Sequence, residues 1–284
     1  MLRKVGNLPE MGNNTPYVIL AAERFERSRL RITWTDEPRA TTDEIERLIA
    51  EQWQRRLAQA QLTGQMLFNG ELARYVSHEV ADGKLRITVG PTCYRDFLGT
   101  NLYNSHRVDE LGWHRFGNPL GTTGLLITAD DQIVLGRRSH RVAFHGGYLH
   151  TVGGALEMQD IDDPADVDAF AALLRELSEE VGLTAGEITS TRCMGLIRDT
   201  DIFQPELLFE VCLSLTASEL CARLDHDDAN QEHVGLECCP NRPYAIVDFL
   251  HAARPVAPVA VATTMIHGML TWGDQWYAEQ TARL

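Results

Sequence analysis

The stretch from His150 to Leu183 constrains this chain more than any other, because it sets a glycine pair, Gly153 and Gly154, ahead of a helix that ends in a cluster of acids. Phe170, Leu173, Leu174, Leu177 and Val181 recur at three- and four-residue spacing, which makes one apolar face of a helix. That face belongs in a core. Asp163 followed by Pro164 supplies an N-cap and a favoured first helical residue, and Gly182 stands where a left-handed C-terminal cap is expected. At about 100° per residue, Glu176 and Glu180 lie on one flank of the apolar stripe, whereas Arg175 and Glu179 point further from it. Two carboxylates so placed repel each other unless something positive sits between them. Oxygen ligands on a rigid helix suit a hard cation such as Mg²⁺. Taken alone, the pair also fits a solvated acidic helix end, since charged pairs at this spacing are common.

The letters around the pair narrow that choice. Arg175, Glu176, Leu177, Glu179, Glu180, Gly182 and Leu183 fill the order Arg-Glu-apolar-any-Glu-Glu-any-Gly-apolar, and the segment resembles the second half of the signature of the Nudix hydrolases. The first half departs from it. From Gly154, five residues lead to Asp160 in place of Glu, and fourteen residues instead of seven separate Asp160 from Arg175. A seven-residue insertion therefore precedes the helix, and it is expected to lengthen the loop and leave the glutamate pair in place. The resemblance implies an α/β protein, a Nudix-type αβα sandwich, with Glu176 and Glu180 as ligands of a Mg²⁺ cofactor. Glu179 is auxiliary at most.

Composition limits the partners. Forty acids against 26 bases leave a formal charge of −14, which disfavours broad attraction to nucleic acid or to an anionic membrane. An anionic substrate then needs local help from arginine or a metal. The chain's 284 residues allow two modest domains, or one with a large extension. The six cysteines form no CxxC pair and no zinc spacing, so reduced thiols are expected. Without a signal-peptide stretch at the start or an apolar run long enough to span a bilayer, a cytoplasmic protein is expected.

Residues 17–22 and 30–34 are short apolar runs fit for strands. Thr41 and Glu44 form a capping-box pattern ahead of a helical stripe through Ile45, Leu48, Ile49, Trp53 and Leu57. Residues 72–80 and 84–89 alternate around Asp82-Gly83, a strong hairpin signal. Residues 1–110 are thus expected to form an N-terminal α+β extension domain, concerned with base recognition and packed against a Nudix domain at 111–284. In the second part, strands are expected at 124–129, 133–137, 192–197 and 207–215, helices at 217–224, 244–253 and 260–276, and a polar loop at 225–233.

The segment from Cys93 to Asn101 places Tyr94, Arg95 and Asp96 together just after a strand. By itself it reads as a salt-bridged turn. Together with residues 118–139 it is similar to a Nudix branch in animals that hydrolyses UDP-glucose and UDP-galactose, with matches from about Trp53 to Leu215. Carried over position by position, the resemblance implies that Phe68 and Tyr94 hold the uridine, since aromatic faces stack bases. Arg95 joins them as a candidate for substrate binding. Arg138 would contact the diphosphate, as guanidinium groups bind phosphate oxygens in pairs. Ala143 would give a backbone contact, and Glu157 matches an acid near the diphosphate. His150 stands where the relative has an acid, and Ala155 where it has a histidine. Glu232, in the later polar loop, is the candidate base for a water. His145 and His150 could titrate near neutrality. The expected function is Mg²⁺-dependent hydrolysis of a small-molecule nucleotide sugar, UDP-glucose or UDP-galactose, to UMP and a sugar 1-phosphate. A second reading keeps the chemistry and takes ADP-ribose or another diphosphate, because His150 and Ala155 alter the pocket. A third is a non-hydrolytic nucleotide-sugar sensor, which has no need of so complete an acid cluster.

Overall fold

The computed structural model describes residues 15–64, 66–142, 144–223 and 232–284, so Ala143 and most of the loop expected at 225–233 lie outside the described residues. The first strand, β1 (Tyr17–Phe25), is longer than expected and belongs elsewhere than expected. It pairs antiparallel with β9 (Ile188–Asp199), at the edge of the main sheet, and its Tyr17 and Ile19 feed the core beneath the C-terminal helices. The sheet of the N-terminal unit is built from β2 (Leu30–Trp34), β3 (Glu71–Ala81) and β4 (Lys84–Cys93), in the order β2-β4-β3. Asp82 and Gly83 both take positive φ, 51° and 67°, which is what a two-residue hairpin turn requires between β3 and β4. Between β2 and β3, α1 (Asp43–Thr63) is capped by Thr42, one residue after the expected cap, and buries Ile45 and Ile49 against Leu111 and Phe116. Two single-turn helices, α2 (Tyr94–Phe97) and α3 (Val108–Leu111), lie on the path into the second half.

Strand alternation explains the layers of that half. In β10 (Pro205–Leu213), Leu207, Phe209 and Val211 enter one core cluster while Leu208 enters another, so both faces of the strand need cover. The sheet runs β1-β9-β10-β5-β6-β11, with β5 at Gly121–Ile127, β6 at Gln132–Arg138 and β11 at His233–Pro240. The short strands β7 (Leu149–His150) and β8 (Val152–Ala155) attach to β6 and β5. On one face, α4 (Ala169–Val181) packs Phe170, Leu173, Leu177 and Val181 against Leu126, Leu207, Phe209 and Val211. On the other lie α6 (Ala245–Ala252), α7 (Pro258–Trp272) and α8 (Asp274–Thr281), which follow the short α5 (Ala217–Cys221) and β11. The last expected helix is therefore two, parted at Gly273 with φ 95°. This is the αβα sandwich implied by the signature. Among the described residues no helix is long and apolar enough to cross a membrane.

The insertion before α4 corrects one expectation. Asp163 does not cap the helix. Its carboxylate accepts from the Ala165 N–H and closes a local turn, while Asp168 caps α4 by accepting from the N–H groups of Phe170 and Ala171, each at 3.1 Å. The residues between the two aspartates lie along the open edge of β2. Trp34 N–H donates to the Pro164 carbonyl at 2.7 Å, Val167 N–H to the Ile32 carbonyl at 2.9 Å, and Arg31 Nη2 to the Ala165 carbonyl at 2.7 Å. Arg27 also pairs with Asp168. The insertion thus covers a strand edge that would otherwise present unpaired backbone groups, and it ties the N-terminal sheet to the start of α4.

Candidate active site

On one side β10 accompanies β5 along its whole length, but on the other no single strand does. Its first half, Gly121–Gly124, pairs with β8, and its end, Leu126 and Ile127, pairs with β6. Near this division lies a cleft of about 430 Å³. Glu176 and Glu180 reach it from α4, Arg138 from the end of β6, His150 from β7, and Gly153, Gly154 and Ala155 from β8. The glycine pair is needed for this approach. A Cβ on Gly154 would fall 2.5 Å from the Glu176 carboxyl carbon, and Gly153 N–H points at Glu180 Oε2 at 3.4 Å.

The two glutamates are short of positive charge. Burial raises the Glu176 carboxyl to about 7; Arg175, at 2.9 Å, opposes the rise and Glu180, Glu179 and Glu157 add to it. Burial also raises Glu180, opposed by His233, whose Nε2 lies 3.0 Å from Glu180 Oε2. A pair of oxygen donors held in this way suits a hard divalent cation. Among the described residues no group of three or more His, Cys, Asp or Glu side chains is placed to hold a metal.

Asp160 acquires a definite role. Arg175 Nε and Nη2 each donate to its carboxylate at 3.0 Å, and Asp160 Oδ2 also accepts the Glu157 N–H at 2.9 Å. The bidentate pair fixes Arg175, and Arg175 in turn fixes Glu176. Glu179 binds the same arginine at 3.2 Å from the solvent side, with its side chain 59% exposed. Glu157, Tyr94, Ala155 and Glu232 also line the cleft. Arg138 lies 3.3 Å from Glu232.

Three expectations change with the geometry. Phe68 is 81% exposed and is not among the residues lining the cleft. Arg95 also lies outside the lining, because its guanidinium turns toward two acids, Glu46 and Asp96, each at 3.9 Å. The two histidines of the cleft do not titrate near neutrality. Burial, helped by the charge of Arg138, lowers His145 to about 4 and His150 well below its ordinary value. His150 Nδ1 lies 2.7 Å from the Thr151 carbonyl, so Nδ1 carries the proton and Nε2 is left as an acceptor. Phe97, His233, Gln204 and Glu206 belong to the site and were not singled out from the sequence. His233 adjoins the candidate Glu232, but nothing local links it to a glutamate 53 residues away.

No family model matches the chain. Over 158 residues it is 31% identical to the uridine diphosphate glucose pyrophosphatase NUDT22 of Mus musculus, an alignment covering 48% of this chain and 51% of that protein. The Homo sapiens protein of the same name is likewise 31% identical over 158 residues, with 48% and 52% covered. The chain spans about half the length of these curated relatives. Among solved structures, the Nudix hydrolase RenU of M. smegmatis aligns over 55% of this chain and 85% of its own, with 16% identity and a TM-score of 0.34.

Proposed function

We propose that this chain, a Nudix-type protein resembling the uridine diphosphate glucose pyrophosphatases, hydrolyses the diphosphate of a UDP-sugar, UDP-glucose or UDP-galactose, to UMP and a sugar 1-phosphate. One observation carries the reading: Glu176, Glu180 and Arg138 line the same cleft as Tyr94 of the N-terminal unit. Glu176 and Glu180 would hold Mg²⁺, which keeps several waters and takes one or two carboxylates together with substrate phosphates. When bound, the ion neutralises the diphosphate and lowers the pKa of a coordinated water. Arg138 stabilises charge that develops on the phosphate oxygens. A phosphate drawn to Arg138 competes with Glu232 for it and frees that carboxylate to accept a proton from water. His150 adds no charge, and its Nε2 acceptor suits a sugar hydroxyl better than a phosphate. Tyr94 supplies an aromatic face for the base.

One observation favours a second reading. With Phe68 outside the cleft, the uridine loses one of its two expected aromatic contacts. ADP-ribose or another nucleoside diphosphate derivative then becomes a competitor for the same chemistry. Incubating a panel of nucleotide sugars and ADP-ribose with Mg²⁺, and identifying the products by mass spectrometry, separates the two. Preferred release of UMP from UDP-glucose, with about a hundredfold loss in Glu180→Gln, is the expected result. Undiminished turnover of UDP-glucose by Glu180→Gln would sink the metal assignment, and tight binding without products would favour a sensor.

A further inference from the structure

Glu206 lines the same cleft without any part in the chemistry described so far. It stands on β10 opposite Gly121 of β5, and Gly121 is in turn opposite Ala155 of β8. A Cβ at position 121 would overlap the Glu206 carboxylate, so the glycine is what lets that carboxylate lie over β5. The charged neighbour acting on it is another acid, Asp199, whose own carboxylate accepts from the N–H groups of Asp201 and Ile202. Burial holds the Glu206 carboxyl well above the ordinary range, which limits the negative charge it brings into the cleft. A neutral carboxyl donates through its O–H and accepts through its carbonyl oxygen, and once ionised it repels phosphate, so the part of the ligand that suits it is an uncharged group able both to donate and to accept.

Its position along β8 indicates which part. Glu180 meets Gly153, Glu176 lies over Gly154, Glu206 lies over Gly121, the partner of Ala155, and Glu157 bridges to Leu72 of the N-terminal unit. At roughly 3.3 Å per residue along a strand, Glu206 sits about one step beyond the two metal-binding candidates, in the direction of Leu72. Leu72 lines the cleft together with Tyr94 and Phe97, the end to which the proposed function assigns the base. Between a diphosphate and a base lies the ribose. Its 2′- and 3′-hydroxyls each donate and accept, and as a vicinal pair they match the two oxygens of one carboxyl group.

We propose that Glu206 recognises the ribose, exchanging hydrogen bonds with the vicinal hydroxyls, and so selects ribonucleotide over deoxyribonucleotide substrates. This rests on the diphosphate reading of the cleft but not on the identity of the base. Gln204, also on the cleft wall, is the polar neighbour closest in sequence.

The test compares kcat/KM for UDP-glucose with that for its 2′-deoxy and 3′-deoxy uridine counterparts. Wild type should lose about 10–100-fold when a hydroxyl is removed, the range for a hydrogen bond to a charged or strongly polar group. Glu206→Ala should carry that loss on the ribose substrate and show little further loss on the deoxy ones. Gly121→Ala displaces the carboxylate without deleting it and should flatten the discrimination in the same way. Equal rates for ribose and deoxyribose substrates in wild type would overturn the proposal. So would a Glu206→Ala variant that slows all three substrates by one common factor, the mark of a structural role. If UDP-glucose proves not to be a substrate, ADP-ribose and its deoxyadenosine analogue serve in its place. If nothing is hydrolysed, calorimetric binding of UDP against 2′-deoxy-UDP decides, so the substrate reading can fail while this one stands.

Discussion

Glu176→Gln should make the metal-free protein more stable and the enzyme worse. In the folded chain the Glu176 carboxyl is raised from 4.5 to about 7, with burial as the largest cause and a side chain only 12% exposed. The folded state therefore holds this proton more tightly than the unfolded state. The stability linked to it is fully present below about pH 4.5 and is lost as pH rises through about 7. Each pH unit between those values removes about 1.4 kcal/mol, so ionised Glu176 costs the metal-free fold about 3 kcal/mol at pH 8. Glutamine removes that cost but also gives up the contact with Arg175, an arginine that keeps Asp160 and Glu179. A net gain of about 2 kcal/mol is expected, or roughly 4 °C in Tm for a chain of this size. Thermal unfolding followed by circular dichroism in a chelator, at about pH 8 and about pH 5, measures it. The gain should appear at the higher pH and shrink at the lower one, while Mg²⁺-dependent turnover falls about a hundredfold. A variant that melts below wild type by the same amount at both pH values would refute the account of Glu176 as a buried acid awaiting a cation.

Two other substitutions probe the supports of the site. His233→Ala removes the Nε2 contact to Glu180 and should raise the Mg²⁺ concentration for half-maximal turnover about 10–100-fold, the usual cost of losing a group that orients a metal ligand. An unchanged Mg²⁺ requirement would mean that His233 is mere packing. Asp168→Ala removes the cap from Phe170 and Ala171 and should cost about 1 kcal/mol, lowering Tm by roughly 2 °C with little change in kcat. Asp163→Ala should cost less, since that carboxylate closes only a loop turn; the reverse ranking in a melting experiment would return the helix start to position 163.

Features with a local cause were legible before the structure. Asp82-Gly83 makes its hairpin because few residues accept two successive positive φ angles, and the α4 stripe, its Gly182 cap at φ 64° and the flank carrying Glu176 and Glu180 all follow from helical period. Features decided by pairing were not. The alternation of β1 says that it has a buried face but not which sheet supplies the cover, and Tyr17 and Ile19 choose a partner more than 170 positions away. Glu206 reads as one more acid in an apolar strand until Gly121 and Ala155 are placed beside it. His233 sits where a polar loop was expected, and only the pairing of β11 with β6 carries its ring over Gly136 toward Glu180.

The start of α4 shows how magnitudes decide between a local rule and a tertiary contact. Asp163-Pro164 and Asp168 both offer a cap, and a proline in the first turn favours the earlier one. A cap is worth about 1 kcal/mol in either place. Starting at 168 leaves 163–167 as a turn laid against β2, which gains two backbone hydrogen bonds to that strand at about 1 kcal/mol each. It also seats Val167, 4% exposed, in the main core, a burial worth about 1.5–3 kcal/mol. Some of that gain offsets the ordering of an extra five-residue loop at about 1–2 kcal/mol per residue, but a helical turn over the same residues would order them equally. The later start therefore wins on contacts that exist only once β2 is in place. An insertion that looks in the sequence like slack ahead of the helix carrying Glu176 and Glu180 is, in the fold, the segment that sets where the helix begins and which strand edge it closes.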